Sequence, residues 1–201
     1  MNYSQNNEQE VVLNHFSGHV GHLLDVGAYD GITWSNSRAL IEQGWTGVLV
    51  EPDPRSIVKL LSNCRSVSDR VTIVGAAVSD HDYHLVPLRL DETPGREWAS
   101  SIHVNNPGVL SQSKLIYQVP IIGIDTLLRL GGAGFDFITI DTEYTDFQIL
   151  KAITLPMLGK CRMMCIEPTN MDQRAKMKPF LQALGLTAFY ETPENLIAYK
   201  P

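Results

Sequence analysis

Short apolar runs alternate along the chain with stretches in which apolar residues return every three or four positions. That is the pattern of a parallel sheet with helices packed on its faces. The runs are HLLDVG, TGVLVEP, VTIVGAAV, FDFITID, RMMCIEP, LTAFYE and NLIAYK, and the first five read as strands buried on both faces. Between them, WSNSRALIEQG reads as a helix closed by Gly44, and Pro54 opens another at its favoured first position in PRSIVKLLSNC. TDFQILKAI and DQRAKMKPFLQALG supply later helices, with Pro179 set to kink the last or shift its start. LTAFYE and NLIAYK lie too close together for a parallel crossover, so they should form an antiparallel hairpin. From about Asp82 to Val119 turn signals (TPG, NNPG) interrupt strand-like pieces without a convincing helix, which reads as an insertion capping one sheet edge. The expected fold is α/β and Rossmann-like: a seven-stranded, mostly parallel sheet with helices on both faces.

Composition narrows this picture. A chain of 201 residues, 44% hydrophobic, fills one core and is too short for two large domains, so residues 1–201 read as a single domain. The net charge of -6 is dispersed, and no stripe of Lys and Arg is available to neutralise phosphates. Nucleic acid is therefore not the expected partner. Cys64, Cys161 and Cys165 are odd in number and lack C-x-x-C spacing, which suggests buried thiols in a reducing compartment. The opening MNYSQNNEQE is polar and acidic where a signal peptide would be basic then apolar, and no apolar stretch is long enough to span a bilayer. A cytoplasmic protein away from membranes is expected.

The first candidate chemistry is in LLDVGAYDG. In open α/β sheets, ligands lie beyond the carboxyl ends of the strands where strand order reverses, usually beside the first strand. Gly27 and Gly31 permit close backbone approach there. Glu51 ends the second strand, where a carboxylate accepts hydrogen bonds from ribose hydroxyls. Together these features describe a nucleoside pocket. A nicotinamide cofactor needs G-x-G-x-x-G around its pyrophosphate, but counting from Gly27 this chain has Tyr29 and Ile32 at the later glycine positions, and Asp30 adds a negative charge. S-adenosylmethionine has no pyrophosphate and carries a sulfonium and an ammonium, which suit Asp25 and Asp30. The rivals are a nicotinamide-dependent oxidoreductase and a nucleoside-binding module without catalysis.

LLDVGAYDG, VLVEPDP, VGAAVSD, IDTLL, FDFITIDTEYTDFQIL and CIEP fall in the order and rough spacing of the FkbM-like methyltransferases, which the chain resembles from about Leu23 onward. The resemblance implies O-methylation of a hydroxyl, often on a sugar or natural product, with S-adenosylmethionine as donor. By position it implies that Asp25, Gly27, Ala28, Tyr29, Asp30 and Gly31 hold the methionine part, that Glu51 holds the ribose, and that Ala77 and Val78 lie by the adenine. Two positions depart from the family pattern, Tyr29 where Asn is usual and Tyr144 where Gly is usual, and both bear on the acceptor more than on the cofactor.

Methyl transfer from a sulfonium is an in-line displacement that requires a held acceptor and a group to remove its proton. Asp141 and Glu143, two apart at the end of FITID, point to one side in extended geometry and are the candidate bases, with His103 next in line. Glu167 ends the neighbouring strand and could join them at the pocket mouth, where crowding would raise carboxyl pKa values. The same three acids are a set that Mg²⁺ accepts, although proton transfer is the preferred reading and no metal is required by it. Trp98, Ser101 and Asn105, in the insertion, are candidates to line an acceptor pocket, with Trp98 stacking on a sugar face. His15, His19 and His22 have helical spacing, but Gly18 and Gly21 disfavour a continuous helix, and surface histidines are the simpler reading.

Overall fold

The structure, a computed structural model, describes residues 1–94, 96–102, 115–132 and 134–201. Helix α1 (Glu8–His15) precedes strand β1 (His22–Val26), followed by α2 (Arg38–Glu42), β2 (Thr46–Val50), α3 (Pro54–Asn63), β3 (Val71–Val74), β4 (Ala77–Ser79) and β5 (Tyr83–Arg89). The second half holds β6 (Ile116–Gly123), α4 (Ile124–Leu130), β7 (Phe137–Ile140), α5 (Asp146–Ala152), α6 (Leu155–Leu158), β8 (Met163–Ile166), α7 (Met171–Ala183), β9 (Ala188–Glu191) and β10 (Leu196–Tyr199). No helix among the described residues is long and apolar enough to cross a membrane.

Seven strands form the main sheet in the order β3-β2-β1-β7-β8-β10-β9. All pairings are parallel except those of β10 with β8 and β9, so the expected hairpin forms the sheet edge. Strand residues alternate between two apolar layers, as the two-residue period requires. Leu24, Val48, Ile138 and Met164 face one layer with Ile149, Leu150 and Leu181 of the later helices. Leu23, Leu49, Phe137 and Met163 face the other with Val12, Leu40 and Leu60 of the earlier ones. Strand order reverses between β1 and β7, which opens a crevice at their carboxyl ends.

Several elements differ from the sequence reading. VTIVGAAV is two strands, because the chain turns after Val74 and Ala77–Ser79 leaves the main sheet to pair with Ile121–Gly123. The resulting second sheet has the order β4-β6-β5, so the strand-like pieces expected between about Asp82 and Val119 do form strands, with a short 3-10 turn at Glu97–Ala99. The helix expected from WSNSRALIEQG begins only at Arg38. Ahead of it, Trp34 is left-handed (φ +57°), and the Ser35 side chain accepts hydrogen bonds from the Ser37 and Arg38 amides, which holds a loop instead. Helix α7 starts where Asn170 accepts from the Gln173 amide and passes through Pro179, which is on the exposed face where water can satisfy the freed carbonyl. Helices α1, α4 and the short α6 are not among the helices expected from the sequence. The first is mostly polar, and its buried Glu8 is held by Thr192 and Asn195 from the other end of the chain.

Candidate active site

The carboxyl ends of β1, β2 and β7, the loop before α2 and residues 98–102 line a cavity of about 1010 Å³, a figure that includes the solvent open to it. Its wall brings together Asp25, Gly27, Ala28, Tyr29, Glu51, Ala77, Val78, Trp98, Ser101, Asp141, Glu143 and Glu167, which lie far apart in sequence. Asp30 and Gly31 are not part of that wall. The Asp30 carboxylate instead accepts from the Ile32 and Thr33 amides at 2.9 and 2.7 Å and closes the turn, and Gly31 packs its backbone against Leu60. His103 and Asn105 lie outside the described residues.

The turn after β1 is shaped by backbone constraints. Gly27 has φ +88°, and a Cβ there would sit 1.6 Å from the Asp141 carbonyl oxygen, so only glycine lets β1 and β7 end side by side. Tyr29 is also left-handed at φ +48°, a conformation in which Asn is several-fold enriched over other non-glycine residues. The Tyr29 amide donates to Glu51 Oε2 at 2.9 Å and the Asp53 amide to Oε1 at 2.7 Å. Each carboxylate oxygen thus keeps one lone pair for a ligand hydroxyl.

Burial governs the titration of these groups. It pushes Glu51 up to about 8 against the two amide bonds that favour the anion. Asp25 rises to about 6 for the same reason, moderated by the hydroxyl of Ser37, which donates to its carboxylate. Beyond the ends of β7 and β8, carboxylate oxygens of Asp141, Glu143 and Glu167 lie within 4.8 Å of one another, and among the described residues this is the group that could hold a metal ion. Burial, then the charges of Asp141 and Asp146, raise Glu143 to about 8, with Arg96 opposing. Burial likewise raises Asp141 and Glu167, which hydrogen-bond each other and act as a pair sharing one proton, with Glu167 at about 10. The adjacent Asp146 carboxylate accepts from the Thr142 amide at 2.7 Å and holds the chain between the acids.

The sequence reading missed four wall residues in the loop before α2, Thr33, Trp34, Ser35 and Asn36, of which Trp34 and Asn36 bear on ligand binding. Trp34 meets Trp98 edge to face across the mouth, with ring centroids 5.3 Å apart, and Arg96 lies over the Trp98 ring. Asn36 Oδ1 is buried without a hydrogen-bond partner among the described residues, an acceptor left for a ligand donor. A helix expected over this loop hid both. The three histidines do not converge: His15 packs on Phe16 and Tyr199, His19 meets Asp136, and His22 meets Thr46.

Residues 25–184 match the methyltransferase FkbM domain, and no curated protein matches the chain. Among solved structures, the chain is similar to methyltransferase FkbM from Methylobacillus flagellatus KT, with a TM-score of 0.55 and 16% identity over 90% of this chain and 43% of that one. It therefore spans less than half the length of that protein. It is also similar to precorrin-6y C5,15-methyltransferase from Geobacter metallireducens GS-15, with a TM-score of 0.52 and 13% identity over 99% and 90% of the two chains. The N-terminal domain of human METTL16, in complex with SAH, aligns with a TM-score of 0.53 and 14% identity over 96% of this chain and 66% of that one. With four-fifths of its length matched and the sheet, the turn and the acids in place, the chain belongs to the FkbM methyltransferase domain family.

Proposed function

We propose that this S-adenosylmethionine-dependent methyltransferase domain methylates a hydroxyl of a small molecule or sugar. The observation that carries the reading is a single cavity lined both by Glu51, which follows β2 on one side of β1, and by Asp141, Glu143 and Glu167, which follow β7 and β8 on the other. The cavity fits S-adenosylmethionine on three counts. Asn36 Oδ1 and the Asp25 carboxylate would hold its ammonium, Glu51 would accept the ribose hydroxyls, and Ala77 and Val78 would pack on the adenine. When bound, the cofactor supplies a methyl group on an electrophilic sulfonium.

The chain's own work is at the acceptor. In its ionised form, Glu143 accepts the proton of the acceptor hydroxyl at a carboxylate oxygen and makes the oxygen nucleophilic. Asp141 and Glu167, hydrogen-bonded to each other through one proton, keep a negative charge beside Glu143 that strengthens its hold on the proton it accepts. Trp34 and Trp98 supply an aromatic mouth on which an apolar sugar face stacks. The charged residues on the described wall are Asp25, Glu51, Asp141, Glu143 and Glu167, all acidic, which disfavours phosphate-bearing acceptors and nucleic acid. Three unpaired, buried cysteines favour the cytoplasm.

Calorimetry with S-adenosylhomocysteine, with NADH as control, tests the cofactor, and labelled S-adenosylmethionine with a panel of methyl glycosides and phenols tests the acceptor. Glu143→Gln should keep the homocysteine compound bound while transfer falls by about 10²-fold or more. Binding of NADH alone would overturn the reading, and binding of neither would favour a non-catalytic module.

A further inference from the structure

The chain at Glu143 and Tyr144 takes a conformation that L side chains rarely adopt, with φ +54° and +94° in succession. Such a turn persists only where its surroundings determine it. Part of the hold is local: Asp146 takes the Thr142 amide and hydroxyl, and Thr145 donates to Thr142. The rest comes from the cap. Ser101 Oγ donates to the carbonyl oxygen of Glu143 at 2.7 Å, joining residues 42 apart in sequence.

Ser101 is well fixed for this task. It is buried, and its backbone exchanges hydrogen bonds with Arg89 in both directions, at 3.0 and 3.1 Å. Its neighbour Ser100 donates from Oγ to Asp53 Oδ2 at 2.8 Å and accepts from Arg55 Nη2 and the Asp91 amide, each at 3.1 Å. Asp53 in turn donates its amide to Glu51. Two consecutive serines therefore tie the cap to the segment that carries the ribose acid on one side and to the turn that carries the proposed base on the other.

We infer that Ser101 is a positioning residue: its hydroxyl holds the Glu143 carbonyl and so aims the Glu143 carboxyl into the cavity. It acts through Glu143 and needs no contact with the acceptor. The inference rests on the proposed role of Glu143, and its test separates the two.

Ser101→Ala removes one atom from a backbone that is pinned on its own. Hydrogen–deuterium exchange over residues 141–146 should quicken by about tenfold, the scale of one lost hydrogen bond, while exchange over Phe137–Ile140 stays as in the wild type. Affinity for S-adenosylhomocysteine should stay within about twofold, and kcat for methyl glycosides should fall by about tenfold at unchanged KM. Ser101→Thr, which keeps the hydroxyl, should restore both exchange and kcat. Unchanged exchange over 141–146 in Ser101→Ala overturns the inference, and so does faster exchange with wild-type kcat. Wild-type transfer by Glu143→Gln would remove the base instead, and the exchange comparison would still decide whether the hydroxyl holds the turn.

Discussion

Gly27→Ala strikes the contact on which the cavity's geometry depends. The new Cβ would be placed 1.6 Å from the Asp141 carbonyl oxygen, whereas real Cβ contacts essentially never fall below 3.0 Å, so the ends of β1 and β7 must separate by roughly 1.4 Å. Asp141 belongs to the acid cluster, and a displacement of about 1 Å at a reacting group costs about 10²-fold in rate. The φ of +88° adds strain of about 1–3 kcal/mol, or several degrees of melting temperature in a chain of this size. Gly132→Ala is the matched control, since it has φ +58° with nothing within 4 Å of the added Cβ, so it carries the strain without the collision. Thermal melts, S-adenosylhomocysteine titration and methyl transfer should show a modest melting shift for Gly132→Ala and, for Gly27→Ala, a larger shift together with loss of transfer. Equal behaviour of the two variants in all three assays would refute the claim that the Gly27–Asp141 approach shapes the site.

Glu51→Ala removes the proposed ribose acceptor and leaves the Tyr29 and Asp53 amides without it, so S-adenosylhomocysteine affinity should fall by about 10- to 100-fold, the scale of two lost hydrogen bonds. Unchanged affinity in a folded variant would remove Glu51 from the site. Because burial raises the folded carboxyl of Glu51 to about 8, its contribution to stability is full below the unfolded value near 4.5 and is lost as pH rises through about 8. The ligand-free protein should therefore melt progressively lower from pH 5 to 8.5, and Glu51→Gln should flatten that slope; a melting temperature that climbs with pH would contradict it. Methyl transfer should rise as Glu143 ionises near pH 8 and then level off, with Glu143→Gln low and flat across the same range.

Local pattern carries far in this chain. Of the five runs read as buried on both faces, four are interior strands, whereas Val71–Val74 is the sheet edge and only partly buried; the short link between Glu191 and Leu196 admits only an antiparallel pair, so most of the sheet and its closing hairpin were legible in the sequence. The turn after the first strand was legible as well, because a strand end with Gly27, an acid and a second strand ending in Glu51 has few chemical uses. IDTLLRL also carries a readable helical signal in Ile124, Leu127 and Leu128. Other features depend on contacts between distant residues, on which periodicity is silent. Asp30 has the charge of a ligand contact, yet its carboxylate finds two amides of its own turn, whereas Asn36, in a segment patterned like a helix, keeps a buried oxygen free on the wall. VTIVGAAV reads as one run and breaks in two because Ile121–Gly123 offers Ala77–Ser79 a different partner. The hydroxyls of Ser100 and Ser101 resemble any others in the sequence, and their roles appear only when the fold sets them against Asp53 and Glu143. A hydrogen bond needs donor and acceptor within about 3 Å, and over 42 to 47 residues of sequence only the tertiary structure brings them that close.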